Sequence, residues 1–78
     1  MIPSKSQPFP VADEGRWAIS DLDTAGETQY FGYLDAHGFW YIMQLTATTA
    51  RYCAGESGYA TNWEGRAELS YGYFNTIF

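Results

Sequence analysis

One pair of runs constrains the fold more than anything else in the sequence. Gln29-Tyr30-Phe31-Gly32-Tyr33-Leu34 and Phe39-Trp40-Tyr41-Ile42-Met43-Gln44-Leu45 are separated by Asp35-Ala36-His37-Gly38. Both runs are dense in aromatic and large apolar residues, which suit a pleated sheet, and the residues between them are turn formers ending in glycine. The pattern predicts a β-hairpin with a four-residue loop. In that register Leu34 faces Phe39, Gly32 faces Tyr41 and Tyr30 faces Met43. On the other side Tyr33 pairs with Trp40, and Phe31 with Ile42. Both faces are then apolar, whereas a surface hairpin of a self-sufficient sheet alternates apolar with polar. One face is expected to build the core, and the other to need a second layer or another chain.

The flanking sequence predicts more short strands. Gly15-Arg16-Trp17-Ala18-Ile19-Ser20 alternates as a half-buried strand does, and Asp21-Leu22-Asp23-Thr24-Ala25-Gly26 has turn chemistry. After a polar bend at residues 46–49, Ala50-Arg51-Tyr52-Cys53-Ala54 reads as a third strand, followed by a turn at residues 55–58. Thr61-Asn62-Trp63-Glu64 has capping-box spacing and predicts one helical turn over residues 62–66, weakened by Gly65. Ala67, Leu69, Tyr71 and Tyr73 alternate with Glu68, Ser70 and Gly72, predicting a last strand with one buried and one wet face. It leads into an apolar end, Phe74-Asn75-Thr76-Ile77-Phe78. The expected fold is all-β: a small antiparallel sheet or compact sandwich of short strands forming a single domain over residues 15–78.

Residues 1–14 carry all three prolines, Pro3, Pro8 and Pro10, and read either as a loose tail or as an extended arm that orders when Phe9 and Val11 dock on a neighbour. There is also an echo between Gln7-Pro8-Phe9 … Asp13-Glu14-Gly15-Arg16-Trp17-Ala18-Ile19 and Gln29-Tyr30-Phe31 … Gly38-Phe39-Trp40-Tyr41-Ile42. It predicts a second strand–turn–strand unit over residues 7–20, with its prolines on a sheet edge.

Size limits how such a chain can be stabilised. At 78 residues there is room for one domain with a thin margin of stability. Cys53 is the only cysteine and His37 the only histidine, so neither a disulfide nor a metal is expected to help, and association is the remaining aid. The formal charge of −5, with only Lys5, Arg16, Arg51 and Arg66 as cations, speaks against nucleic-acid binding, which depends on clustered cations. No apolar run approaches the ~20 residues of a membrane helix. The first residues lack the apolar stretch of a secretory signal, so synthesis in a cytoplasm and no membrane partner are expected.

Chemistry is sparse. Asp21 and Asp23 suggest calcium, but the fifth and twelfth positions of such a loop are Ala25 and Gly32, which supply no side-chain oxygen. A Cys53–His37 pair with Asp35 as orienting group would form a thiol nucleophile. However, His37 belongs to a turn, and Cys53 alternates in a strand as a small hydrophobe does. Glu56 with Glu64, and Asp21 with Asp23, have ordinary surface spacing. The expectation is no enzyme, no cofactor, no metal and no catalytic residues.

The aromatic content, with 3 Trp, 7 Tyr and 5 Phe, points instead to binding or to core. Apolar neighbours around the hairpin favour a protein interface formed by Phe31, Tyr33, Trp40 and Ile42 with Phe9 of the arm. The partners are other protein subunits, the chain itself among them. The alternative is a carbohydrate-binding module with Tyr33, Trp40 and Tyr41 as a stacking platform.

A longer pattern carries a resemblance. Tyr30-x-Gly32-Tyr33-x4-Gly38-x-Trp40-Tyr41-Ile42-Met43 is followed by Arg51-Tyr52-x2-Gly55-x3-Tyr59-x3-Trp63-x2-Arg66-Ala67-x-Leu69-x-Tyr71-x-Tyr73. Over residues 30–73 it resembles small virion-associated proteins encoded in tailed-phage genomes. The resemblance implies a tail, baseplate, fibre-associated or capsid-decorating subunit, assembled in a host cytoplasm and located in the virion.

Overall fold

The computed structural model describes residues 15–78. Four strands run in chain order: β1 (Ala18–Asp23), β2 (Gln29–Leu34), β3 (Trp40–Leu45) and β4 (Ala50–Gly55). They form one antiparallel sheet in the order β1-β2-β3-β4, so every connection is local. Two short helices follow, α1 (Tyr59–Glu64) and α2 (Phe74–Ile77), with a 3₁₀ turn at Arg66–Glu68 between them. The architecture is the small antiparallel β-sheet that the alternation predicts. The arm at residues 1–14, Phe9 and the first half of the 7–20 echo lie outside the described residues.

The central hairpin has the expected strands but a different register. Leu34 pairs with Trp40, Tyr33 with Tyr41, Gly32 with Ile42 and Phe31 with Met43. The loop therefore holds five residues, 35–39, because the Asp35 side chain organises it. Its carboxylate accepts hydrogen bonds from the His37 and Phe39 N–H groups, both at 2.9 Å, and from Arg16 Nε at 3.0 Å. The Asp35 N–H donates to the Phe39 carbonyl at 2.9 Å, and Gly38 turns the chain at φ 95°. Since side chains alternate with period two, a shift of one residue in one strand moves its whole set to the opposite face. Trp40 and Ile42 thus lie on the same face as Leu34 and Gly32, across the sheet from Phe31 and Tyr33.

That face is the core. Ile42 is fully buried and Trp40 is 4% exposed. Trp40 donates its indole N–H to the Ser57 carbonyl at 2.6 Å, and Gly55, its pairing partner on β4, leaves room for the ring. Helix α1 closes this side through Tyr59 and Trp63, which settle over Gly32, where a Cβ would collide with the Tyr59 hydroxyl. Strand β1 is phased to match. A bulge between Ile19 and Asp21 resets the alternation, so Asp21 and Asp23 turn to the helix side while Ile19 and Leu22 share the other. Asp21 accepts from the Tyr59 hydroxyl at 2.8 Å, and Asp23 pairs with Arg66 at 2.9 Å. Neither aspartate belongs to a turn, and both serve to fasten the helical layer.

The C-terminal third departs most from expectation. The helix begins at Tyr59, capped by Gly58 at φ 73°, and not at a Thr61 cap. Residues 67–73 make no full strand. Arg66–Glu68 tightens into the 3₁₀ turn, held where the Tyr71 hydroxyl donates to the Arg66 carbonyl at 2.8 Å. Only Gly72 bridges to the sheet, exchanging two backbone bonds of 2.8 Å with Tyr52 on the outer edge of β4. The apolar tail then coils into α2 and returns across the sheet face opposite α1, giving more helix than the single turn expected.

Candidate functional site

The face opposite α1 is built from the other half of each strand. Ile19 and Leu22 of β1, Phe31 and Tyr33 of β2, Tyr41 and Met43 of β3, and Tyr52 of β4 follow from the observed pairings. At its centre Tyr33 and Tyr41 stack with ring centroids 4.4 Å apart and planes 18° from parallel. Trp17, just before β1, meets Tyr41 edge-on at 5.0 Å, and Phe78 meets the same ring edge-on at 5.2 Å. Phe74 lies edge-on to Tyr52 at 5.1 Å and 4.7 Å from Phe78. These offset and edge-to-face arrangements are the favourable ones for aromatic quadrupoles.

Between the rings lies a cleft of about 480 Å³. Trp17, Tyr33 and Tyr41 line one part of it, and Met43, Tyr52, Phe74 and Phe78 the rest, with no charged or amide side chain among them. Its floor is covered, with Tyr41 only 7% exposed, but its outer edge is open: Phe74 is 57% exposed and Phe78 52%, and beside the cleft Ile19 and Leu22 are 56% and 59% exposed. A larger cavity of about 650 Å³ lies between the loops at residues 27–29 and 45–48. There the Thr46 hydroxyl is already engaged with Thr49, which closes the bend.

The cleft's electrostatics are those of a neutral surface. Burial, with the nearby Tyr33 and Tyr52 hydroxyls, pushes the Tyr41 phenol well above its ordinary range, and burial likewise raises Tyr33. Both stay protonated and uncharged across physiological pH. The arginines are paired, and one of them, Arg16, borders the cleft at Trp17. Arg16 pairs with Asp35 and lies over the Trp17 ring at 4.4 Å. Arg66 lies over Trp63 at 4.4 Å, and Arg51 over Tyr73 at 4.3 Å. Burial opposes ionisation of Asp35. The His37 and Phe39 N–H groups and Arg16 outweigh it and hold the carboxyl below the usual range.

The expected interface residues are thus divided. Phe31 and Tyr33 lie on the open face, Trp40 and Ile42 are buried beneath α1, and Phe9 lies outside the described residues. The same division breaks up the expected stacking platform, since Tyr33 and Tyr41 are together and Trp40 is across the sheet from them. Trp17, Tyr52, Phe74 and Phe78 complete the cleft without belonging to the hairpin that predicts the interface. The spacing of Phe74 and Phe78, four residues apart as on one side of a helical turn, is the signal that marks them.

Cys53 sits in mid-strand opposite Ile42, where burial raises the thiol's pKa and keeps it protonated. His37 is exposed at the hairpin tip. Among the described residues no group of three His, Cys, Asp or Glu side chains is placed to hold a metal ion, and no helix is long and apolar enough to cross a membrane. Comparison with protein-family models, curated proteins and solved structures gives no match.

Proposed function

We propose that this chain is a structural, non-catalytic subunit of a larger assembly, joined to a protein neighbour through the open aromatic face. The observation that carries this reading is the contrast between the two faces of one sheet. One is sealed by α1 and its hydrogen bonds. The other gathers rings and aliphatic side chains around an uncharged cleft and leaves Ile19, Leu22, Phe74 and Phe78 more than half exposed. Interface cores are enriched in aromatic residues and depleted of charge in this way. The resemblance of residues 30–73 to tailed-phage proteins suggests the setting: a virion component, assembled in the host cytoplasm, whose neighbours are further copies or other virion subunits.

A sugar platform is less well supported. Rings that stack on sugars work beside carboxylates or amides that bond the hydroxyls, and the cleft lining has neither. Nucleic-acid binding is not favoured by arginines already tied to Asp35, Asp23 and Tyr73.

Size-exclusion chromatography with light scattering over a hundredfold range of concentration tests the reading. A mass above that of the monomer, lost in the double variant Ile19→Ser, Leu22→Ser with its circular dichroism unchanged, is the expected result. A wild type that stays monomeric throughout, and that shows no loss of protection on this face when the double change is made, would count against it.

A further inference from the structure

The cleft on the aromatic face is lined by rings and by no charged side chain, in a protein with an excess of acids. We infer that it binds a quaternary ammonium group, the trimethylammonium head carried by choline-type small molecules, held against the rings by cation–π attraction. The inference goes beyond the interface reading: it concerns what enters the cleft, and it holds whether or not a neighbour meets the Ile19 and Leu22 rim.

Three observations carry it. The first is the set of the rings. Tyr33 and Tyr41 lie 18° from parallel, while Trp17 and Phe78 stand at 75° and 85° to Tyr41. Phe74 stands at 76° to Tyr52. Rings in two such orientations close round a compact group on more than one side, whereas a flat ligand needs one broad plate. The negative face of a ring quadrupole attracts a cation within about 6 Å of the centroid, and cages of rings suit quaternary ammonium ligands. The second is the chemistry of the lining. A quaternary nitrogen has no N–H to satisfy, so it needs neither carboxylate nor amide, and the lining has neither. A primary ammonium or a sugar hydroxyl would find few partners there and lose hydrogen bonds on entry. All three arginines lie over rings, Arg16 on Trp17, Arg51 on Tyr73 and Arg66 on Trp63. Among the described residues no cation lies over Tyr41, Tyr52, Phe74 or Phe78, so a cation for these rings has to come from outside.

The third is charge. Residues 15–78 carry seven Asp and Glu side chains against three arginines, so the field of the described domain favours a cation. Trp17 and Phe78 also line an adjoining cleft of about 300 Å³ that holds Arg16 and Glu56. The buried Asp35 carboxylate, 3.0 Å from Arg16 Nε, neutralises that arginine, which leaves the exposed Glu56 to set the sign at this end. A cation seated between Trp17 and Phe78 therefore has a negative group beyond it and a paired arginine beside it. Two or three rings acting together favour the cation over an uncharged group of the same shape by about tenfold.

The test titrates the full chain, labelled for NMR, with choline chloride and with 3,3-dimethylbutan-1-ol, which has the same shape and no charge, at constant ionic strength. The Trp17 indole and Met43 methyl resonances report the cleft. The Trp40 indole, hydrogen-bonded to Ser57 on the opposite face, reports the fold. The expected result is saturable movement of Trp17 and Met43 by choline, with Trp40 in place and the neutral alcohol bound about tenfold more weakly. Phe74→Leu, alone and together with Phe78→Leu, keeps apolar bulk while removing rings, and should reduce that preference stepwise. The single change lies at a residue more than half exposed, where the fold is least at risk. The Ile19→Ser, Leu22→Ser variant is titrated as well, so that a neighbour on the rim does not hide the cleft. No saturable movement by choline at tens of millimolar in either protein would overturn the proposal. Equal affinity for the alcohol would overturn it too, as would a preference left unchanged in ring variants that keep the fold. Light scattering on the same proteins reads assembly separately. A monomer that binds choline therefore retains this inference while defeating the assembly reading, and an oligomer that does not bind it does the reverse.

Discussion

Replacing Gly32 by alanine tests the packing logic of the protein at its tightest point. The new methyl would overlap the Tyr59 hydroxyl and sit 3.0 Å from Trp63 Cε3, so α1 has to lift from the sheet. Overpacking of this kind costs about 1–3 kcal/mol. Displacing Tyr59 also breaks its 2.8 Å bond to Asp21. Bonds to charged groups are worth about 1.5–3 kcal/mol, and the partly solvated site argues for the lower end. Alanine recovers about 0.5–1 kcal/mol through its better backbone entropy in a strand. The net loss is then about 2–4 kcal/mol, a large share of the ~4–12 kcal/mol usual for a chain of 78 residues. Urea unfolding followed by tryptophan emission should show it as a midpoint lowered by about 2–4 M, taking a slope near 1 kcal/mol/M. In a Tyr59→Phe background the same change should cost measurably less, because the oxygen it collides with is gone. A midpoint within 0.5 M of wild type for Gly32→Ala, or equal costs in both backgrounds, would refute the assignment of α1 to this face.

Other consequences can be measured alongside. Trp40→Ala should destabilise the fold by about 3–5 kcal/mol, since it empties a buried ring site and strands the Ser57 carbonyl; a variant with wild-type melting but altered assembly would contradict that placement. Burial raises the Tyr41, Tyr59 and Tyr71 phenols above the ~10 of an unfolded tyrosine, so the native state holds its protons longer. Their contribution is complete below pH ~10 and is lost as pH rises beyond it, and chemical denaturation at stepped alkaline pH should show stability falling from that point. Asp35 behaves in the opposite sense. Its lowered carboxyl pKa contributes above the ordinary carboxylate value near 4 and is lost as pH falls through the folded value. Asp35→Asn should accordingly flatten the acid limb of the stability profile, and an unchanged limb would show that the loop does not depend on the charge.

Much of this arrangement was legible in the residues. The strands at residues 29–34 and 40–45 follow from their runs of rings, and the sheet class follows from them. The faces did not follow, for a local reason. Whether the loop holds four residues or five is decided by a single carboxylate bonding two backbone N–H groups, and nothing in the alternation reveals that. The change of one residue moved Trp40 and Ile42 from the expected interface into the core. At residues 67–73 the alternation was present, but the Tyr71 hydroxyl bond to Arg66 and the Arg66–Asp23 pair commit the segment to the helical layer, so period two appears there without a strand. The cleft itself was half visible. Tyr33 and Tyr41 stood out by their place in the hairpin, whereas Trp17, Tyr52, Phe74 and Phe78 come together only through tertiary contacts.

The bulge in β1 has a consequence for errors in strand pairing. By resetting the alternation at Ser20 it sorts the strand's residues by chemistry, with Asp21 and Asp23 on the helix side and Ile19 and Leu22 on the aromatic side. If β1 slips by one residue against β2, both carboxylates move onto the rows of Phe31 and Tyr33, away from Tyr59 and Arg66. The slipped state then carries two charges without partners on an apolar surface, and the helical layer loses its fastenings at Tyr59 and Arg66 at the same time. Misregistration is thereby coupled to detachment of the helical layer, and the wrong pairing destabilises itself before any neighbour can add to it.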